Sequence, residues 1–115
     1  MSFIAKVRTL LGLRALPHPN ESVRKKLRVR GDFGKRPRLV IHTASFKTES
    51  QAAAFKTFVQ FRGYEIGESE DITSVKFQQV SGISGRRFDA ETDALRREAE
   101  DLYGTYDGLG CASLR

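Results

Sequence analysis

The alternation of apolar and polar positions divides residues 39–114 into a succession of strands and helices. Leu39 to Phe46 is a β-rich run that predicts the first strand. Residues 49–62 place their apolar side chains on one half of a helical wheel and predict a helix. Tyr64 to Ile66 and Ile72 to Val80 then predict the second and third strands.

A second helix and a last strand complete this order. Asp89 is the predicted N-cap of the helix, Leu95 and Ala99 lie in its buried stripe, and Gly104 is its predicted end. Thr105 to Leu114 predicts the fourth strand. The order β-α-β-β-α-β is that of the ferredoxin-like fold, an α+β sandwich with a four-stranded antiparallel sheet. Because right-handed crossovers put both helices on one face of the sheet, the other face is left for water or a partner.

The first third of the chain is less regular. Residues 3–14 place apolar side chains in one stripe and predict a short amphipathic helix, which the Pro-containing segment 17–20 ends. Val23 to Arg30 alternates like a strand, yet Val23 and Leu27 also suit a helix that starts at Asn20. Both alternatives stay open, and a Gly-containing, charged connection follows over residues 31–37.

The bulk composition is that of one intracellular domain. A chain of 115 residues with eight Phe and three Tyr can build one hydrophobic core. Cys111 is the single cysteine and has no disulfide partner within the chain, which favours a reducing, cytoplasmic location. No apolar run approaches the roughly 18 to 20 residues that a membrane-spanning helix needs.

Charge divides the chain at residue 38. Residues 1–38 hold eleven Lys or Arg against two acidic residues, whereas residues 39–115 have a net charge of −3. This asymmetry predicts a basic N-terminal arm, residues 1–38, joined to a ferredoxin-like domain, residues 39–115. The arm would bind RNA or another polyanion by neutralising phosphates without reading sequence. The cations predicted to do so are Arg24, Lys25, Lys26, Arg28 and Arg30.

Two other interpretations of the arm remain. The first is that the arm is a solubilising segment. The second is an organelle-targeting segment, since residues 1–20 are basic, amphipathic and free of acidic residues. Binding of RNA by the sheet itself is disfavoured, because the first strand has no aromatic residue before Phe46 on which a base would stack.

No set of residues has the spacing of a catalytic, metal or cofactor site, so we expect no enzyme activity and no cofactor. His42 is interpreted as structural, and the acidic residues 65–71 as a solvated turn. The glycines at 82, 85, 104, 108 and 110 match no phosphate-binding fingerprint, which requires a strand, a Gly-rich turn and a helix in that order. The alternative hypothesis is a small thiol-dependent enzyme that uses Cys111.

The C-terminal part carries a resemblance to a known family. After the last helix the chain reads Gly-Thr-Tyr-Asp-Gly-Leu-Gly over residues 104–110. This resembles the signature of the regulator of ribonuclease E activity B family, in which a Gly after the helix precedes Tyr-Asp-Gly-Trp-Gly, and Leu109 stands at the Trp position. Residues 63–66, Gly-Tyr-Glu-Ile, are similar to the family's Gly-Tyr-Glu-Val. The resemblance covers about Leu39 to Ala112.

The resemblance implies a non-enzymatic cytoplasmic protein that binds another protein and regulates RNA decay, with a ribonuclease as the expected partner. On that basis we expect contacts through the free sheet face and the edge of the last strand. The residues expected to make them are Tyr106, Asp107, Gly108 and Leu109.

Overall fold

A computed structural model describes residues 18–112, which form an α+β fold of three helices and one four-stranded antiparallel sheet. The amphipathic helix predicted for residues 3–14 lies outside the described residues. The elements are α1 (Asn20–Arg28), β1 (Arg38–Ser45), α2 (Glu49–Phe61), β2 (Glu65–Ile66), β3 (Ser74–Ser81), α3 (Gly85–Asp101) and β4 (Thr105–Ala112).

The strands lie in the order β2-β3-β1-β4, and each neighbouring pair is antiparallel. Burial alternates along β1: Val40, His42 and Ala44 are buried, whereas Leu39 and Ile41 are half-buried. The buried positions face the helices, because they pack with apolar residues of α2 and α3. The opposite side of the sheet is called the open face below.

The main hydrophobic cluster lies between the sheet and helices α2 and α3. Its largest members are aromatic, and Phe77 contacts Phe55 edge to face with the ring centroids 5.4 Å apart. Such an aromatic pair stabilises the core beyond the free energy of apolar burial, because the two rings prefer this relative orientation. The fully buried members of this cluster are Ala44, Ala52, Phe55, Val59, Phe77, Leu95 and Ala99.

A second, smaller cluster forms where α1 packs beside α3. Val40, Ile83 and Phe88 are its buried members, and Val23 and Leu27 of α1 pack against them. Because Val23 and Leu27 lie four residues apart, a helix presents both to the same neighbour, whereas a strand separates them by some 13 Å. Residues 20–28 are therefore helical, and they pack on the domain although they belong to the charge-defined arm.

Helix α3 begins four residues before the predicted N-cap, which corrects that prediction. Ser84 precedes the helix with an extended backbone, and Asp89 lies in the second turn. The additional turn buries Phe88 in the second cluster, and Asp89 accepts hydrogen bonds from Arg24 and Asn20. The start at Gly85 was not predicted because two arginines lie in the first turn, and basic residues are unfavourable near a helix N-terminus.

The end of α3 also differs from its prediction. The helix ends at Asp101, and the residue with a positive φ after it is Tyr103, at 59°. Gly104 is required for another reason: a methyl group at this position would overlap the Phe46 ring and the Ser45 carbonyl. Gly104 therefore allows the chain to pass close to β1 before it enters β4. Within residues 18–112 there is no helix that is long and apolar enough to cross a membrane.

Candidate binding cleft and surfaces

A cleft of about 610 Å³ opens on the helix side of the sheet, between the end of α2 and the start of α3. We call it the His42 cleft. Its floor is formed by strand residues, and its walls by residues at the helix ends. Its lining residues include His42, Arg62, Tyr64, Ser84, Arg87 and Glu91.

The cleft exists because the sheet is polar where the two hydrophobic clusters meet. His42 and Gln79 occupy helix-facing positions that apolar residues occupy elsewhere in the sheet. The main cluster lies on one side of them, and the cluster of Val40, Ile83 and Phe88 lies on the other. Helix α2 packs on the main cluster, whereas α3 packs on both clusters, and the cleft lies above the polar positions between them.

His42 is buried, with 1% of its surface exposed. Its ring stacks on Phe77 at a centroid distance of 4.9 Å, and its Nδ1 is hydrogen-bonded to the Tyr106 hydroxyl at 2.7 Å. Its Nε2 has no hydrogen-bond partner within residues 18–112. Burial lowers the pKa of His42 to about 4, so the ring is neutral at physiological pH.

The wall beside His42 is a hydrogen-bonded triad of Arg62, Tyr64 and Glu91. Arg62 donates two hydrogen bonds to Glu91, at 2.9 and 2.6 Å, and the Tyr64 hydroxyl donates to Glu91 at 3.1 Å. The Arg62 guanidinium holds the pKa of Glu91 below its usual value, and burial raises the pKa of Tyr64. These contacts fix Glu91 as a charged carboxylate and use its acceptor capacity.

The residues expected to contact a protein partner lie on two different sides of β4. Tyr106 faces the helices, is 7% exposed, and belongs to the main cluster. Leu109 also faces the helices and packs against the second cluster. Asp107 and Gly108 lie at an irregularity in the β1–β4 register, and the Ser45 hydroxyl of the open face donates to Asp107.

The open face has an apolar strip beside a depression. Val80 is 53% exposed and is paired with Leu39, and Ile41 lies one position further along the same face. Gly110 and Gly108 of β4 pair with Ile41 and Thr43, so β4 contributes no side chains to the space beside those two residues. The depression has a volume of about 520 Å³. No element within residues 18–112 covers this strip.

The predicted polyanion-binding residues divide into internal and free cations. Arg24 is buried, and its guanidinium donates to Glu21, to Asp89 and to the Ile83 carbonyl. Arg28 is exposed and is paired with Glu21 at 2.6 Å. Lys25, Lys26 and Arg30 are exposed and form no ion pair within residues 18–112. Within the described part of the chain, these three of the five predicted residues therefore have unpaired charges.

The connection between α1 and β1 adds an exposed aromatic ring to this basic region. Phe33 is 66% exposed and lines a groove of about 520 Å³ together with Arg30, Lys35 and Arg36. Asp32 in the same connection is paired with the buried Arg38 at 2.8 Å, and this contact lowers the pKa of Asp32 to about 2. We use the name basic groove for the exposed groove residues together with two exposed lysines of α1 that lie outside its lining: Arg30, Phe33, Lys35 and Arg36, with Lys25 and Lys26.

The remaining candidates have local structural environments. Cys111 is half-buried on β4, and burial raises the pKa of its thiol. Asp71 accepts hydrogen bonds from the backbone and side chain of Thr73 and so shapes the turn before β3. Residues 18–112 contain no group of three His, Cys, Asp or Glu residues that would hold a metal ion.

The sequence did not reveal the His42 cleft. Its signal is one polar residue at an inward position of a strand, which is compatible with a satisfied core histidine. Arg62, Arg87 and Glu91 read as ordinary surface residues of helix ends, and only the packing of three separate segments brings them around His42.

Comparisons with known proteins add no identification, because no protein-family model and no curated protein sequence matches this chain.

Proposed function

We propose that the protein is a non-enzymatic regulatory module that binds another protein through the open face and the outer edge of β4. We further infer a ferredoxin-like sandwich, which the strand order β2-β3-β1-β4 and the common helix side support. The partner proposed from the resemblance of residues 39–112 is an endoribonuclease of the ribonuclease E type.

The observation that carries the proposal is an uncovered apolar strip next to an unpaired strand edge. β4 is the last strand of the sheet, so one row of its backbone N–H and C=O groups has no strand partner within residues 18–112. A partner strand can pair with such an edge. Leu39, Ile41 and Val80 extend the surface by a strip that a partner would bury.

The environment of the cysteine supports binding over thiol catalysis. A nucleophilic cysteine needs a lowered pKa, which a cation or a helix N-terminus provides. Burial raises the pKa of Cys111, and the nearby Arg38 offsets only part of this effect.

The two sides of β4 divide the residues predicted to contact a partner. Asp107 and Gly108 are retained at the proposed interface, whereas Tyr106 and Leu109 support β4 from the helix side.

The test compares one substitution on the open face with one on the helix layer. Val80→Lys places a charge in the apolar strip, and Phe61→Lys makes the same change at an exposed helix residue, 89% exposed. We expect V80K to weaken binding to the purified ribonuclease E-type enzyme of the same organism at least tenfold, as for a central interface residue. F61K should bind normally, and both variants should unfold at nearly the wild-type temperature.

Binding and inhibition of RNA cleavage by that enzyme are the measurements. Equal binding of V80K and the wild type would contradict the proposed interface. No detectable binding of the wild-type chain to the enzyme would contradict the proposed partner while leaving the fold unaffected.

The basic groove favours a second function, which is binding of single-stranded RNA or another polyanion. Proteins that bind single strands combine cations along the backbone with an exposed aromatic ring on which a base stacks. Phe33 between Arg30 and Lys35 has both features. If the five cations of the groove contact phosphates, the logarithm of the affinity should fall with the logarithm of salt concentration at a slope of about −3.5 to −4.5.

Phe33→Ala separates stacking from charge. It should weaken binding of an oligonucleotide by about tenfold, the worth of one stacked base, and leave the salt slope unchanged. Heparin, which has charge but no bases, should bind both proteins equally. An equal loss for heparin and oligonucleotide would show that Phe33 does not stack on a base.

A further inference from the structure

The segment between β3 and α3 joins a strand, a Gly-containing turn and a helix, an order that was not predicted from the sequence. A strand ends at Ser81, the turn Gly-Ile-Ser-Gly follows over residues 82–85, and α3 begins within it. Gly85 has a φ of 88°, a conformation that suits glycine. A strand, a Gly-containing turn and a helix in this order place backbone N–H groups toward an anion in known phosphate sites.

The start of α3 is electrostatically unusual for a helix without a ligand. Its first turn contains no acidic residue, and no side chain within residues 18–112 caps its N–H groups. Instead, Arg86 and Arg87 add positive charge to the positive end of the helix dipole, and both are exposed. Arg87 takes part in none of the ion pairs within residues 18–112. An anion at this end would satisfy the N–H groups and the arginine together.

His42 provides a second and independent indication of a ligand. It lines the same cleft as Ser84 and Arg87, is 1% exposed, and its Nε2 lacks a hydrogen-bond partner within residues 18–112. An unsatisfied buried polar atom costs free energy that a bound polar group recovers. Because Nδ1 is already bonded to Tyr106, the unused hydrogen-bonding capacity of the ring is at Nε2.

We propose that the His42 cleft binds a small phosphomonoester, with its phosphate at the start of α3 beside Arg87 and a hydroxyl or amide of its organic part at His42. The volume of about 610 Å³ accommodates a compound the size of a sugar phosphate. Arg62 is neutralised by Glu91, so the uncompensated charge of the cleft is that of Arg87. The site lies on the opposite side of the sheet from the proposed protein interface and is independent of it.

The fixed carboxylate also limits what binds. Glu91 remains charged on the wall, where it repels a second anionic group near His42. The cleft therefore favours a ligand with one phosphate at one end and neutral hydrogen-bonding groups at the other. A polynucleotide, which has a phosphate at every residue, meets this carboxylate unfavourably.

The test uses the full chain with ribose 5-phosphate and inorganic phosphate as probes, followed by calorimetry and by ¹⁵N chemical shifts. Ribose 5-phosphate should shift the amides of residues 85–87 and the ring nitrogens of His42. Inorganic phosphate should shift only the amides. Arg87→Ala should weaken ribose 5-phosphate binding about tenfold, in line with loss of a hydrogen bond between charged groups.

Arg97→Ala is the matched control, because it removes the same charge from an exposed position further along α3. It should bind the probe like the wild type. Equal weakening by both variants, shifts confined to the basic groove, or no binding of either probe at millimolar concentration would each overturn the proposal.

Discussion

The main hydrophobic cluster and the contact of α1 with α3 hold the domain together by different means. The main cluster is aromatic and aliphatic, and Phe55, Phe77 and Leu95 in it are completely buried. The α1 contact contains few apolar groups and depends on Asn20 and Arg24, which donate hydrogen bonds to Asp89. Apolar burial is non-directional, whereas charged hydrogen bonds require defined partners and a defined ionisation state.

This difference indicates where the domain is rigid and where it can open. Loss of an apolar residue weakens the whole cluster, because its members share contacts. Loss of Asp89 affects chiefly the attachment of α1. The His42 cleft lies at the boundary between the two regions, so we expect a structural change in either region to alter the shape of the cleft.

Phe77→Ala should have the largest effect on stability. The side chain is 0% exposed and contacts both Phe55 and His42, so its removal should lower the free energy of unfolding by about 3 to 5 kcal/mol. Phe61→Ala removes the same group at an exposed position and should change it by less than about 0.5 kcal/mol. Denaturant unfolding measures both. A loss below about 1 kcal/mol for F77A would show that the main cluster repacks readily.

His42 should make stability depend on pH between about 6.5 and 4. Its pKa is lowered from 6.5 to about 4 in the folded state, so in this range the unfolded chain binds more protons than the folded one. Stability should therefore fall as the pH falls through this window, by about 3 kcal/mol in total.

His42→Phe retains a ring and removes the titration. The variant is expected to be less stable at pH 7, because the Tyr106 hydroxyl loses its partner, but it should have a flatter pH profile between pH 6.5 and 5. An unchanged slope in this variant would assign the pH dependence to another group.

Asp89→Ala should lower the free energy of unfolding by about 2 to 3 kcal/mol, because it leaves the buried Arg24 without its main acceptor. The effect should be local: amides of residues 20–28 should lose protection from hydrogen exchange before those of β1. Asp93→Ala is the control. Asp93 is half exposed, and its contact with this part of the chain is to His18, which precedes α1. Uniform loss of protection across the domain would show that α1 and the main cluster unfold as one unit.

Arg28→Ala should have the smallest effect. Its ion pair with Glu21 is exposed on both sides, and solvent screening leaves it little contribution to the free energy of unfolding. Because Glu21 already neutralises Arg28, the affinity for a polyanion should also fall less than in Arg30→Ala, whose charge is unpaired. Thermal unfolding and oligonucleotide binding at low salt measure the two effects. An equal loss of affinity in both variants would place Arg28 in the basic groove.

The periodicity of the chain predicted the strands and helices after residue 38 to within a few residues. Alternation along residues 39–46 predicted β1, and the apolar half of residues 49–62 predicted α2. Burial of one face requires apolar residues at the period of the element, which differs between a strand and a helix. The N-cap of α3 is Ser84, five residues before the predicted Asp89, because the first turn contains arginines where acidic residues are usual. The helix of residues 20–28 was ambiguous, since its apolar residues fit both periods.

Composition and pattern by themselves determined the α+β class, the number of strands and the concentration of basic residues in the first third. Tertiary structure alone decided that Arg24 is an internal cation, since its partner Asp89 lies 65 residues away in the sequence, whereas the pair of Arg28 with Glu21 forms within α1. It also decided that His42, Arg87 and Glu91 line one cleft. Local periodicity is a property of neighbours along the chain, whereas a site is formed by residues distant in sequence, and their proximity depends on how the helices pack across the sheet.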